Sequence, residues 1–534
     1  MNLSLINKNF FLLFQKKIVL YLLIIYSVYC SLSIGTSWDE SSHLLQGKSV
    51  FNYLFTFGSL DKYTHYREYY SASYWAFVYF VTQFFPKYYE ISIFHLVNLA
   101  IGWMSLIGFY KLGKILFNKE IGILFFIFLF FQPIFFGHLS INPKDTILAF
   151  CHIWFFFFTF EYIKKQTINF ASKKIIFKLG LLLAIGSGIQ FYFVASLMPI
   201  ILFLLFEIFF FKKLINKEFS NKKFTKDILY ITLVCSIFFV IFWIDVHENI
   251  ITKPLEIFVS SFETIRGWPA NLLNGQVFFS TNVPKNYIFL STIYKSPEYI
   301  LVLYIIFFIF FIKIKHFFSK EIERFNYKLF LVFLIIIFPT LILFINPFPV
   351  YDGIRLFLWY IPYTLIVPCL AFYYLIKNLD LIINKIIFSF VFIFLLFNLI
   401  FFFGYTPYQY TYLNMLAGKF DTKNIKFEND YWGVTLKELF KKIKKSDIQP
   451  GKISVYLCGV PTDEIKKYIK QNKIKNMIFD SFEKSNYIVL TNRVVIFNSD
   501  AKKKLIKCTD LVDQKIVTIE RMGHTLAIFG TIKK

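Results

Sequence analysis

Three short stretches of the chain place ionisable side chains beside long apolar segments. The first is Trp38-Asp39-Glu40-Ser41-Ser42-His43, which follows the first of those segments. If Asp39 opens a helix, Glu40 and His43 lie three or four positions along on one face. Two carboxylates and an imidazole gathered there suit proton transfer or metal binding. The second stretch is His138-Leu139-Ser140-Ile141-Asn142-Pro143-Lys144-Asp145. Pro143 fits the first turn of a helix, where its missing N–H is not needed. Lys144 and Asp145 then stand at that helix's amino end, which favours an ionised Asp145 and an anion bound nearby. The third is Tyr351-Asp352-Gly353-Ile354-Arg355. Arg355 begins an otherwise apolar helix, and its guanidinium can hold a phosphate through two N–H groups. Asp352 is its partner, an orienting neighbour or a helix cap. Each stretch also has a plain reading: a solvated loop, a Pro-Asp helix start, and an arginine reaching for lipid headgroups.

The elements that must position these residues are membrane helices. The chain of 534 residues is 57% hydrophobic and contains 74 Phe, more apolar surface than a soluble fold hides. Apolar runs near the ~20-residue bilayer length recur through the first 400 residues. Spans are expected near 17–34, 91–110, 120–137, 145–163, 176–191, 193–211, 228–244, 297–313, 329–345, 355–376 and 385–404. The first is read as a retained helix rather than a cleaved signal. A shorter stretch, 74–85, reads as an amphipathic helix in the interface. The net charge of +25 comes from lysines flanking the spans, so it speaks for topology and anionic lipid, not nucleic acid. Lysines gather in the loops near 111–119, 164–174, 212–226 and 313–328, which puts the amino terminus in the cytosol. Loops after odd-numbered spans then share the outer face. Those loops hold Asp39, Glu40 and His43; His138, Lys144 and Asp145; Arg266; and Tyr351, Asp352 and Arg355. Ionisable groups near a membrane are costly and usually mark a site. The long outer loop 245–295, with Arg266-Gly267-Trp268-Pro269, is too aromatic for disorder.

With these clusters in place, the chain resembles the GT-C superfamily of polytopic glycosyltransferases, in particular the protein O-mannosyltransferase and aminoarabinose-transferase branch. Trp38-Asp39-Glu40 matches that family's acidic first outer loop. Asn142-Pro143-Lys144-Asp145 matches its second acidic position. Tyr351-Asp352-Gly353-Ile354-Arg355, Asn414, Asp430-Tyr431-Trp432-Gly433 and Ile519-Glu520-Arg521-Met522-Gly523 look like motifs of one bacterial subgroup. The resemblance implies a polyprenyl-phosphate-linked sugar as donor and a glycan, lipid or protein as acceptor. It makes Asp39 the general base or a metal ligand, has Asp145 with Lys144 complete the acidic site, and sets Arg355 against the leaving phosphate. Glu40, His43, His138, Arg266, Tyr351 and Asp352 are further candidates. A divalent ion, Mg or Mn, held by Asp39 and Asp145 stays open, since relatives differ in needing one. One departure is Gln190, which stands where an arginine is expected.

The expected architecture is an α-helical polytopic membrane domain over 1–404 with outer-face loops 35–90 and 245–295. An interfacial connector follows over 405–445, then a small extracytoplasmic α/β domain over 446–534. In the tail, helices are expected at 435–445, 462–470 and 501–507, and strands at 453–457, 475–479, 487–491, 515–520 and 525–529. Asp430-Tyr431-Trp432 reads more readily as a docking element than as a cover for the site. Cys458 and Cys508 would pair if the tail lies outside the cytosol. The location implied is a bacterial cytoplasmic (inner) membrane. A lipid-linked glycan flippase without chemistry is the rival reading, though no inverted repeat is evident and the charges sit at span ends rather than mid-membrane.

Overall fold

The computed structural model describes residues 17–56, 70–215, 218–263, 267–418, 426–445, 453–474, 476–499 and 502–533. The membrane part is mainly helical. Among the described residues five helices are long and apolar enough to cross a bilayer: Lys87–Leu116, Asp145–Lys165, Asn221–Phe242, Phe325–Ile345 and Ile382–Gly404. Tyr287–Lys295 and Glu298–Ile309 would make a sixth if the pair, bent by 112°, is one span. The chain is thus a multi-pass membrane protein, but its eleven expected spans do not all form unbroken helices. The 120–137 run breaks after Phe130, where Gln132 caps a new helix, Pro133–His138, by accepting the Phe135 N–H. The 193–211 run is split at Leu197, before Pro199. The 355–376 run is cut into Arg355–Phe357, Ile361–Thr364 and Ile366–Lys377. Proline lacks the N–H that a continuing helix requires, and these breaks fall next to it or within a residue or two.

Asp145–Lys165 is buried on nearly every side, whereas Asn221–Phe242 is exposed along most of its length. The first is therefore the bundle's centre and the second its lipid-facing rim. The interfacial segment is the helix Ser73–Thr82, packed on Glu40–Phe55 through Trp75, Ala76 and Val78. Gly47 permits that approach, because a Cβ there would strike the Trp75 carbonyl. Loop 245–295 is ordered as the helix Thr252–Glu263, the antiparallel hairpin Ala270–Leu273 with Gln276–Phe279, and Tyr287–Lys295.

The tail is built on a five-stranded sheet. Its order is Met477–Phe479, Ile453–Cys458, Tyr487–Thr491, His524–Ile532 and Val512–Arg521, the first three parallel and the last two antiparallel. Helices Leu436–Lys445 and Thr462–Gln471 cover it. Residues 501–507 were expected to be helical. Instead Lys502–Lys507 is a strand, antiparallel to Val494–Ser499, with Val495 opposite Ile506 and Ile496 opposite Leu505. The β-branched partner strand overrides the helix preference of a lysine run. Cys458 and Cys508 form a disulfide with Cα atoms 5.7 Å apart.

Tail and membrane part share a core. Ile34, Ile141, Tyr408 and Tyr410 pack with Tyr431, Trp432, Val434, Leu436, Val455, Ile519 and Phe529. The Lys437 ammonium reaches the carbonyls of Leu32, Ser33 and Ile34 at 3.0–3.4 Å, at the negative end of helix Lys17–Ser33.

Candidate active site

The loop after Lys17–Ser33 enters helix Glu40–Phe55 with Asp39 at its N-cap, yet the Asp39 carboxylate does not cap that helix. The Ser37 hydroxyl donates to the Ile141 carbonyl, and the Glu40 carboxylate turns back to accept the Ser37 N–H at 2.6 Å. Its other oxygen pairs with His95 Nε2 at 2.8 Å in a fully buried contact. Asp39 therefore points elsewhere, and its Oδ2 lies 4.0 Å from Arg355 Nη1.

Asp145 arrives from the second stretch. Asn142 shapes the turn by accepting the Asp145 N–H at 2.9 Å and donating to Asp145 Oδ2 at 2.8 Å. That same oxygen is 3.9 Å from Arg355 Nε. From the third stretch, Asp352 Oδ2 is 3.3 Å from Arg355 Nη2. Asp352 and Gly353 both have positive φ, 57° and 65°, and Gly353 fits because a Cβ there would crowd Lys295 Cε at 2.9 Å. Arg355 is thus ringed by three carboxylates that are far apart in sequence, two of them at distances beyond hydrogen bonding. Among the described residues its Nε–H meets no acceptor, and Asp145 Oδ1 meets no donor. Burial works against charge on Arg355, but Asp352, Tyr351, Asp145 and Asp39 outweigh it and hold its pKa above the ordinary value.

Aromatic rings wall the guanidinium. Its carbon is 5.2 Å from the Tyr351 ring centre and 5.0 Å from that of Trp432, a tail residue. Lys144 lies with its ammonium 3.3 Å from the Tyr70 hydroxyl. Burial opposes its charge, and Tyr70, Tyr351 and Asp145 offset that and raise its pKa. His138 shares a hydrogen bond of 2.8 Å with the Tyr431 hydroxyl. Burial, followed by the Arg355 and Lys295 charges, holds it well below its usual value, so it is neutral.

The structure therefore brings Asp39, Asp145, Lys144, Tyr351, Asp352 and Arg355 together, with His138 tying the site to the tail. Glu40 stands apart in its pair with His95. His43 is stacked on Trp75 with ring centres 3.9 Å apart. Arg266 lies outside the described residues, but its neighbours reach the site: Gly267 abuts the Tyr351 ring, and Trp268 carries an arginine from the tail.

Among the described residues no group of three or more His, Cys, Asp and Glu side chains is placed to hold a metal ion. Asp39 and Asp145 converge on a guanidinium, which supplies the positive charge an Mg or Mn ion would bring between them. Asp39 and Asp145 are the carboxylates that would hold such an ion, beside Arg355.

No family model matches the sequence, and no curated protein matches it. Solved structures do. The structure of ArnT from Cupriavidus metallidurans bound to undecaprenyl phosphate aligns with a TM-score of 0.50 and 9% identity, over 93% of this chain and 97% of that one. The same protein in the apo state gives 0.49 and 8%, over 96% and 97%. The oligosaccharyltransferase AglB from Archaeoglobus fulgidus, with an inhibitory peptide and a dolichol-phosphate, gives 0.47 and 10%, over 90% and 70%. The chain has the GT-C fold. At these identities the likeness concerns architecture, and the roles of side chains in this chain rest on its own geometry.

That geometry includes residues the sequence did not single out. Arg493 of the tail donates to Asp352 Oδ1 at 2.6 Å. Lys295 and Glu428 line a small cavity of about 20 Å³ beside Gly353, with Tyr287, Ser291 and Phe427. Burial pushes the Glu428 carboxyl up to about 7; Asp352 adds to the rise, while Arg493, the Val494 N–H and Lys295 restrain it. The folded chain thus keeps, from about pH 4.5 to about 7, a proton that the unfolded chain releases. Stability contributed by that proton is fully present below the unfolded pKa and is lost as pH rises through the folded one. Wild-type protein in detergent is expected to lose about 3 kcal/mol between pH 5 and 8 from this group. Glu428→Gln should flatten that part of the profile, read as the thermal unfolding midpoint by intrinsic fluorescence; an unchanged slope would remove Glu428 as its source.

Proposed function

We propose that this chain is a glycosyltransferase that moves a sugar from a polyprenyl-phosphate-linked donor to an acceptor at the outer face of the membrane. The observation that carries the proposal is Arg355, buried between Asp39, Asp145 and Asp352 with an Nε–H that no acceptor among the described residues takes up. A phosphate oxygen satisfies such a donor, and the cation stabilises charge that grows as the phosphate leaves. Asp39 is the reachable carboxylate: its side chain is 36% exposed, against 1% for Asp145. In the reaction the acceptor hydroxyl oxygen bonds to the anomeric carbon while the bond from that carbon to the phosphate oxygen breaks. Asp39 takes the hydroxyl proton, and the electron pair leaves with the lipid phosphate, facing Arg355 and Lys144. Asp145, held by Asn142, fixes Arg355 from the buried side.

A membrane-delivered donor agrees with the fold shared with a protein solved with undecaprenyl phosphate bound. The Cys458–Cys508 disulfide supports a tail in an oxidising compartment, and with it the cytosolic amino terminus and an inner-membrane location. The domain division follows the same reading: a catalytic membrane domain to residue 404, a connector, and an outer α/β domain from 446. Mass spectrometry of envelope glycans, lipids and proteins from cells with and without the gene tests this. One sugar should be missing from a single acceptor class in the deleted strain and return on complementation. Identical profiles, together with loss of polyprenyl-linked glycan from the outer leaflet, would favour translocation over transfer.

A further inference from the structure

Arg493 occupies the turn between strands Tyr487–Thr491 and Val494–Ser499. It is buried in the interface between tail and membrane part. Nη2 donates to Asp352 Oδ1 at 2.6 Å, and Nη1 donates to the Tyr431 carbonyl at 2.6 Å. The guanidinium carbon sits 3.7 Å from the Trp268 ring centre and 5.5 Å from that of Trp38, the residue before Asp39. The backbone beneath it is tied to the disulfide: the Arg493 carbonyl accepts the Cys508 N–H at 2.9 Å. Gly459 lies alongside, where a Cβ would fall 2.9 Å from Arg493 Cβ and 3.2 Å from Cys508 Sγ.

Asp352 is consequently shared. One oxygen takes Arg493 at 2.6 Å, and the other faces Arg355 at 3.3 Å. The shorter contact belongs to the tail. Without Arg493 the Asp352 charge would be shared by Arg355 and Lys295, and the larger part falling to Arg355 would draw it from Asp39 and Asp145 and neutralise it toward an incoming anion. We infer that Arg493 is a positioning residue: by holding one oxygen of Asp352 it keeps Arg355 oriented and charged toward the phosphate of the donor, so the tail domain completes the headgroup site. This rests on the glycosyltransferase reading above and goes beyond it by giving the tail a part in binding.

The test uses the full-length protein in nanodiscs and undecaprenyl phosphate as the probe, with dissociation constants from native mass spectrometry. Arg493→Gln is expected to weaken binding about tenfold, and Arg493→Lys, which keeps the charge but not the fork, about threefold. In an Asp352→Asn background Arg493→Gln should add nothing further, an interaction that general loosening of the tail would not produce. Arg521→Gln is the docking control. Arg521 ties the tail to the Thr406 carbonyl at 3.0 Å, away from Asp352, so its loss should leave the probe bound as in wild type. If Arg493→Gln does not fold, Arg493→Lys in the two backgrounds decides the matter by the same interaction. Wild-type affinity in both Arg493 variants, or equal weakening in Arg521→Gln, would overturn the inference; loss of binding in Arg355→Gln would then leave the transferase reading standing. A wild-type protein that does not bind the probe would overturn both.

Discussion

Arg355→Ala is expected to lower sugar transfer about 10³-fold, with most of the loss in kcat. The guanidinium is the positive centre of the site, and it faces three carboxylates at 3.3–4.0 Å. An interaction that strengthens as charge develops on the leaving phosphate affects the chemical step more than ground-state binding. The alanine variant also takes the guanidinium from beside the buried Asp145, which costs about 3 kcal/mol of stability. Arg355→Lys separates the two effects. It keeps the charge against Asp39, Asp145 and Asp352 but loses the planar fork, so it should fold and still lose about 10²-fold in kcat. The measurement is the initial rate of transfer from a polyprenyl-phosphate sugar in proteoliposomes, with kcat and KM resolved. A lysine variant within about threefold of wild type would mean that Arg355 serves packing and not the phosphate.

The centre of the site was legible because membrane helices make charge conspicuous. Asp39, Asp145 and Arg355 each adjoin apolar runs where a charge is expensive, and counting spans placed their loops on one face before any distance was known. Glu40 and His43 had the right residue types but different tasks. Glu40 accepts the Ser37 N–H and pairs with His95 of a later helix, a partner that sequence spacing does not reveal. The number of spans was less legible, since hydropathy does not register where Gln132, Pro199 or Pro362 interrupts a helix. Arg493 escaped because it lies 141 residues from Asp352 in a segment that carries no motif. A signal existed nonetheless. Only six of the 58 basic residues are arginines. In a chain that uses lysine almost everywhere, an arginine marks a place where the planar fork is needed, and Arg355, Arg493 and Arg521 each contact a carboxylate in the described structure. Trp432 was read chiefly as a docking residue. It docks, and its ring also covers Arg355, because the core that joins tail to membrane part runs directly over the site.

The second large effect is expected at Asp39. Asp39→Asn preserves size and polarity at the mouth of the site but removes the group that takes the acceptor's proton, and should lower kcat by about 10³-fold. Donor binding should hold or tighten, because the phosphate meets Arg355 with one fewer competing carboxylate at 4.0 Å. A weaker acceptor base and a freer cation thus move kcat and donor affinity in opposite directions, a split that misfolding cannot mimic. Asp145→Asn provides the contrast. That carboxylate is buried, receives the Asn142 amide at 2.8 Å and stands 3.9 Å from Arg355 Nε, so its loss should disturb Arg355 and weaken donor binding together with turnover. The two variants are compared by undecaprenyl phosphate affinity in nanodiscs and by single-turnover transfer. If Asp39→Asn restores the glycan in the deleted strain at wild-type rates, the base lies elsewhere. If instead both variants lose binding equally, Asp39 and Asp145 act alike as counter-charges to Arg355 and neither accepts the proton.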